Sequence, residues 1–122
     1  MTEQKKEQKK MKRALLATLV LMIALPLAAE TWKNVSLMDG NCSTRKDKMD
    51  APEKHTKHCA MQCAKSGFGA VVDAKFVKFD KHGSELAADA IAKSDKSENL
   101  RANVTGELKD GEIAVSALEM VK

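Results

Sequence analysis

The chain has 122 residues, with 21 lysines and arginines against 17 aspartates and glutamates and a formal net charge of +4. That excess lies at the N-terminus: residues 30–122 carry 15 basic and 15 acidic side chains, without the basic footprint of a nucleic-acid binder. With 3 phenylalanines, 1 tryptophan and no tyrosine, the chain also lacks the stacking aromatics of single-strand binders.

The chain opens on the polar stretch MTEQKKEQKK, and Met11 is an equally good start. Lys12 and Arg13 precede the apolar run Ala14 to Leu25, which Pro26 ends before the small residues Ala28 and Ala29. This is the pattern of a secretory signal peptide cut after Ala29. A membrane-spanning helix needs about 20 apolar residues without such a break, so no stable anchor is expected once the leader is gone. The reading divides the chain into an extension and signal peptide, 1–29, and a single mature domain, 30–122, that is periplasmic or extracellular. An exporting route leads to an oxidising compartment, where cysteines tend to pair. Three cysteines leave one over, through which a disulfide-linked dimer could form.

Thr31 to Asp39, TWKNVSLMD, reads as a strand closed by Asp39-Gly40-Asn41. A charged loop holding Cys42 and Met49 follows. Asp50 as N-cap, Glu53 completing a capping box and Pro52 in the first turn predict a helix to about Ser66, with Gly67 ending it. Gly69 to Asp80 predicts two short strands about a tight Asp73-Ala74 turn. After the turn Asp80 to Gly83, Ser84 caps a second helix with Leu86, Ala87, Ala90 and Ile91 on one face, fraying at Ser94-Asp95-Lys96. The end is a hairpin: Leu100, Ala102 and Val104 alternate with polar residues, Gly106 suggests a bulge, and Asp110-Gly111 is a type I′ turn. Five strands with a helix between the third and fourth give the order of an OB-fold, a small five-stranded barrel, with the cysteine helix inserted after the first strand. An α+β sandwich of the same elements is the alternative.

HTKHCAMQCAKSG, His55 to Gly67, concentrates two histidines and two cysteines. On a continuous helix, at about 100° per residue, His55, Cys59 and Cys63 share one face spanning roughly 80° and His58 borders it. Haem attachment by C-x-x-C-H and a thioredoxin-type C-x-x-C both need a different spacing. Two helical cysteines four apart hold their Cβ atoms about 5–6 Å apart, too far for a disulfide with each other.

Three readings remain. Cys42 closes a disulfide onto Cys59 or Cys63, in a binding or envelope structural protein that is not an enzyme and needs no cofactor. Alternatively Cys42, His55, Cys59 and Cys63, with His58, Met49 or Met61 as auxiliaries, hold zinc or copper. The third reading is a thiol-active redox protein using the unpaired cysteine. His82 reads as a solvated turn residue, and Glu85 with Asp89 as an exposed acidic face. Asn34, Asn41 and Asn103 match the glycosylation triplet. The binding partner, a protein or a small ligand, is not specified by the residues.

The succession TWKNVSLMD, HTKHCAMQCAKSGFG, KFVKFDKHGS and NLRANVTGELKDGEIAVSALEMV resembles small exported bacterial proteins of unassigned function. The most specific part is H-x-x-x-C-A-x-x-C-x-x-S-G-x-G followed by K-F-x-K-F-D. The resemblance implies a single OB-like barrel outside the cytoplasm and supplies no activity.

Overall fold

The computed structural model describes residues 29–122, so the leader reading lies outside the described residues except for Ala29. The domain is mixed α+β, with five strands and three α-helices among the described residues. Strand β1 runs Glu30–Asp39, β2 Phe68–Val72, β3 Lys75–Phe79, β4 Arg101–Lys109 and β5 Glu112–Met120. Helix α1 is Lys46–Asp50, α2 Lys57–Gln62 and α3 Lys81–Lys93. No helix among the described residues is long and apolar enough to cross a membrane.

The sheet closes on itself in the order β1-β2-β3-β5-β4, with β4 returning to β1. Closure depends on β1 serving two neighbours. Its first half pairs with β4, from Glu30↔Gly106 to Ser36↔Arg101, and its second half with β2, from Ser36↔Val71 to Asp39↔Phe68. Between the halves the register slips at Trp32–Val35, where Asn34 adopts φ 53° and its amide donates to Asn103 Oδ1 at 2.9 Å. That break bends the strand, as bulges do. The ring is completed by a short parallel pairing of β3 with β5, Lys78↔Glu112 and Phe79↔Ile113.

Both tight turns follow their sequence signals. Asp73 and Ala74 have φ 49° and 63°, and Asp110 and Gly111 have φ 52° and 76°, the left-handed pair of a type I′ hairpin. Gly106 marks the expected bulge, where the β4–β5 register slips at Thr105/Gly106. A Cβ there would collide with the Ala114 carbonyl oxygen, so the close strand approach requires glycine.

Alternation along the strands buries Leu37, Phe68, Ala70, Phe79, Ala102, Val104, Ile113 and Val115 inside the ring. Helix α3 covers this core with Gly83, Ala87 and Ile91, spaced i, i+4, i+8. The helix starts earlier than Ser84. Asp80 is its N-cap, accepting from the Gly83 amide at 2.8 Å, while Ser84 Oγ accepts from the Phe68 amide at 3.0 Å.

The largest departure is the segment expected to be one helix from Asp50 to Ser66. It is broken into 3₁₀ turns at Pro52–Lys54 and Ala64–Ser66, with α2 between them. Asp50 ends α1 instead of capping, and Ala51 takes φ −138°. The proline supplies the reason: its missing amide and fixed φ suit the first turn of a new piece, not the continuation of α1. Thr56 starts α2 in its place, its Oγ1 accepting from the Cys59 amide at 3.1 Å. The Lys57 amide donates to Ser97 O at 2.8 Å, and its Nζ donates to Ala92 O and Ser94 O at 3.0 and 2.8 Å, clipping α2 onto the end of α3.

Candidate metal centre

The break in the helix changes where His55 goes. It lies in extended backbone between the Pro52–Lys54 turn and α2, not on the face that carries Cys59 and Cys63. The imidazole turns inward and is 1% exposed, beside Asp39 at 0% and Cys42 at 5%. Asp39 ends β1, and its Oδ2 accepts from the Cys42 amide at 2.9 Å, setting the 3₁₀ turn Cys42–Thr44 directly after the strand. Strand end, turn and linker thus bring three side chains to one point.

At that point one donor atom each of Asp39, Cys42 and His55 lies within 4.8 Å of the others. His55 Nε2 is 2.8 Å from Asp39 Oδ1. The contact is at ion-pair distance but is not aligned as a hydrogen bond, and Asp39 Oδ1, His55 Nδ1 and His55 Nε2 are all buried without a hydrogen-bond partner among the described residues. Buried polar atoms in folded proteins are nearly always satisfied, so three orphans in one cluster need an explanation. A tetrahedral ion bonded at about 2.0–2.3 Å sets its O, N and S ligands roughly 3–4 Å apart. The three donors lie within 4.8 Å of one another, and opening the 2.8 Å Asp39–His55 contact by a few tenths of an ångström would admit such an ion.

Burial, then the neighbouring Asp39 carboxylate, push the Cys42 thiol up to about 11, with smaller contributions from Cys63 and Cys59. Without a cation the sulfur is therefore a protonated thiol at neutral pH, unsuited to nucleophilic chemistry. A bound cation reverses that preference, since metal-ligating sulfur is thiolate.

Sequence reasoning found two of the three donors, Cys42 and His55, and missed Asp39. The run Asp39-Gly40-Asn41-Cys42 signalled only a turn, in which an aspartate side chain bonds its own backbone a few residues on. Cys59 on α2 and Cys63 just after it are half-buried and outside this group, so the expected His55–Cys59–Cys63 stripe does not form. All three cysteines are free thiols. The expected disulfide from Cys42 to Cys59 or Cys63 is not formed in this structure, with Cys42 turned toward Asp39 and His55 and Cys63 Sγ accepting from Asn41 Nδ2 at 3.5 Å. His58 and Met61 are exposed on α2, Met49 is half-buried on α1, and His82 is exposed. Asp89 pairs with Lys93 at 3.0 Å, which leaves Glu85 and Asp89 as ordinary surface carboxylates.

No protein-family model, no curated protein and no solved structure matches this chain. The functional reading therefore stands on the site itself.

Proposed function

We propose that the chain is an exported, non-enzymatic metal-binding domain that holds zinc between Asp39, Cys42 and His55. The observation that carries this reading is the convergence of three buried donors, with Asp39 Oδ1 and both His55 nitrogens lacking an aligned hydrogen bond among the described residues. A buried carboxylate beside an imidazole it does not hydrogen-bond costs several kcal/mol, which a cation would offset. Carboxylate, imidazole and thiolate are all zinc ligands, whereas an oxygen donor sits less well with soft copper(I). Zinc there would tie the end of β1 to the linker before α2 and fix the intervening loop. Because the donors are sealed from solvent, the role we assign is holding the ion, not presenting it to a substrate.

The strand order, and the helix between β3 and β4, support an OB-like barrel. The donors lie at the end of β1 and in the loop that follows, one of the two loops such barrels use for ligands. The apolar run Ala14–Leu25 supports export. Balanced charge supports a partner other than nucleic acid.

Export also favours a second reading, the disulfide from Cys42 to Cys59 or Cys63, which would use the same sulfur the ion needs. Metal content and thiol count of the exported protein separate the two. About one zinc per chain, and three alkylatable thiols once it is chelated, support the metal site. A mass lower by two hydrogens, one alkylatable thiol and no zinc would establish the disulfide and overturn it.

A further inference from the structure

Three donors leave a tetrahedral ion one ligand short. Closed, structural zinc sites take all four ligands from protein, while an open fourth position belongs to sites that water or substrate can reach. Here Asp39 is 0%, His55 1% and Cys42 5% exposed, so the missing ligand has to come from the chain. Resting on the metal reading above, we infer that Cys63 supplies the fourth ligand, giving a closed site of one carboxylate, one imidazole and two thiolates.

The backbone around Cys63 is fastened beside the backbone around Cys42. The Gly40 amide donates to Gly67 O at 2.9 Å, and the Asn41 amide to Ser66 Oγ at 3.0 Å. Ser66 Oγ in turn donates to Cys63 O at 2.6 Å. The approach is close enough that a Cβ on Gly40 would lie 2.6 Å from the Ser66 carbonyl oxygen. Within this clasp, Asn41 Nδ2 donates to Cys63 Sγ at 3.5 Å, so the residue just before Cys42 already touches the Cys63 sulfur.

The side chain also has freedom to turn. Cys63 is the residue after the last turn of α2, with φ −102° and ψ 16°, and it is half-buried. A change of χ1 rotamer re-aims its sulfur without unwinding the helix. Cys59 lies inside α2, where its amide is held by Thr56 Oγ1 at 3.1 Å, and no hydrogen bond among the described residues fastens its sulfur to the 40–42 segment. His58, one residue before it, is exposed.

The second thiolate sets metal preference. A site with one carboxylate, one imidazole and one sulfur suits several divalent ions, whereas two sulfurs shift selection toward zinc and other thiophilic ions, away from magnesium, calcium and manganese. The ion would also bolt the C-terminal end of α2 to the end of β1, closing the loop 40–67 at both ends.

Cobalt(II) loaded into the reduced, zinc-free protein reports the sulfur count, because the near-ultraviolet thiolate-to-cobalt band scales with the number of Co–S bonds. We expect a two-thiolate band in the wild type, about half of it in Cys63→Ser with cobalt affinity at least tenfold weaker, and the full band in Cys59→Ser. Zinc-edge X-ray absorption of the wild type, with two sulfurs at about 2.3 Å, checks the count without any variant. A one-sulfur shell in the wild type, or halving by Cys59→Ser with Cys63→Ser unchanged, overturns Cys63 as ligand while leaving the metal site standing. Wild-type protein that takes up neither cobalt nor zinc overturns the site itself and the fourth ligand with it.

Discussion

Asp39 Oδ1 and His55 Nε2 face each other 2.8 Å apart in the protein interior, in contact but not aligned as a hydrogen bond. The Asp39 side chain and the His55 backbone are each held from their own side of the loop. Asp39 is fixed by the Cys42 amide on its other oxygen, and His55 by its amide on Pro52 O at 3.1 Å. This buried contact of carboxylate and imidazole, close but unaligned, is what the proposed ion would satisfy.

Zinc should raise the melting temperature of the wild-type domain, because a ligand that binds only the folded state stabilises it by mass action. At a hundredfold excess over Kd the gain is about 2.7 kcal/mol, a shift on the order of 10 °C for a domain of this size. In Asp39→Ala and His55→Ala the zinc-dependent shift should vanish. Metal-free Asp39→Ala should also melt below metal-free wild type, since it leaves the buried Cys42 amide without its acceptor, a loss of about 1–3 kcal/mol. Differential scanning calorimetry with and without chelator measures both effects. Equal zinc-induced shifts in wild type and His55→Ala would rule out this donor set.

The Cys42 thiol, pushed up to about 11 from 9.0, gives a pH dependence with a defined sign. The folded state holds this proton more tightly than the unfolded chain does. Its contribution to stability is therefore complete below about pH 9 and is lost as pH rises toward 11. Metal-free wild type should lose stability across that window, and Cys42→Ala should lose less of it. Urea midpoints measured from pH 8 to pH 11 on both proteins make the comparison. Alkylation at pH 8 without metal should modify Cys59 and Cys63 well before the buried Cys42.

Much of the five-stranded sheet was legible in the sequence because its signals are short-range. The Asp73-Ala74 and Asp110-Gly111 turns, the Gly106 bulge and the alternation from Leu100 to Val104 each follow from neighbours in the chain. Segment 50–66 misled for the same reason. A capping box at Asp50 and a helical stripe are locally consistent, but Pro52 starts a 3₁₀ turn, and the bonds from Lys57 to Ser97 and to the end of α3 restart the helix at Thr56. Those partners lie some forty residues away and carry no local mark. Asp39 was hidden differently. It reads as a turn residue, and only the fold shows that the Cys42 turn leaves its Oδ1 aimed at an imidazole sixteen positions on.

The two candidates for capping α3 can be told apart. Asp80 Oδ1 accepts from the Gly83 amide at 2.8 Å and from the Val115 amide at 3.2 Å, so it both starts the helix and fastens it to β5. Asp80→Ala should cost about 1–2 kcal/mol, the upper range for a lost N-cap, because it also orphans a strand amide. Ser84→Ala removes only the acceptor of the Phe68 amide and should cost about 1 kcal/mol. Asp80→Asn, which keeps the acceptor oxygen, should recover most of the loss. Chemical denaturation of the three variants gives the order directly.

The last prediction concerns the clasp that holds the loop closed. Gly40 stands where β1 ends and packs flat against the Ser66 backbone, and a Cβ there would lie 2.6 Å from the Ser66 carbonyl oxygen. The obstacle is backbone, not the tip of a flexible side chain, so Gly40→Ala has to push the two strands of the clasp apart. Overpacking of this kind costs about 1–3 kcal/mol. The displacement stretches the Gly40 amide bond to Gly67 O and carries Asn41 away from both Ser66 Oγ and the Cys63 sulfur. Gly40→Ala should therefore lower the urea midpoint and also weaken zinc binding, although Gly40 offers no ligand atom. Lys65→Ala, an exposed neighbour on the same turn, should change stability by less than about 0.5 kcal/mol and leave zinc affinity unaltered. Competition with a chromophoric chelator measures the affinities. If Gly40→Ala is destabilised but binds zinc like the wild type, the clasp supports the fold alone and the ion does not depend on bringing segments 40–42 and 63–67 together.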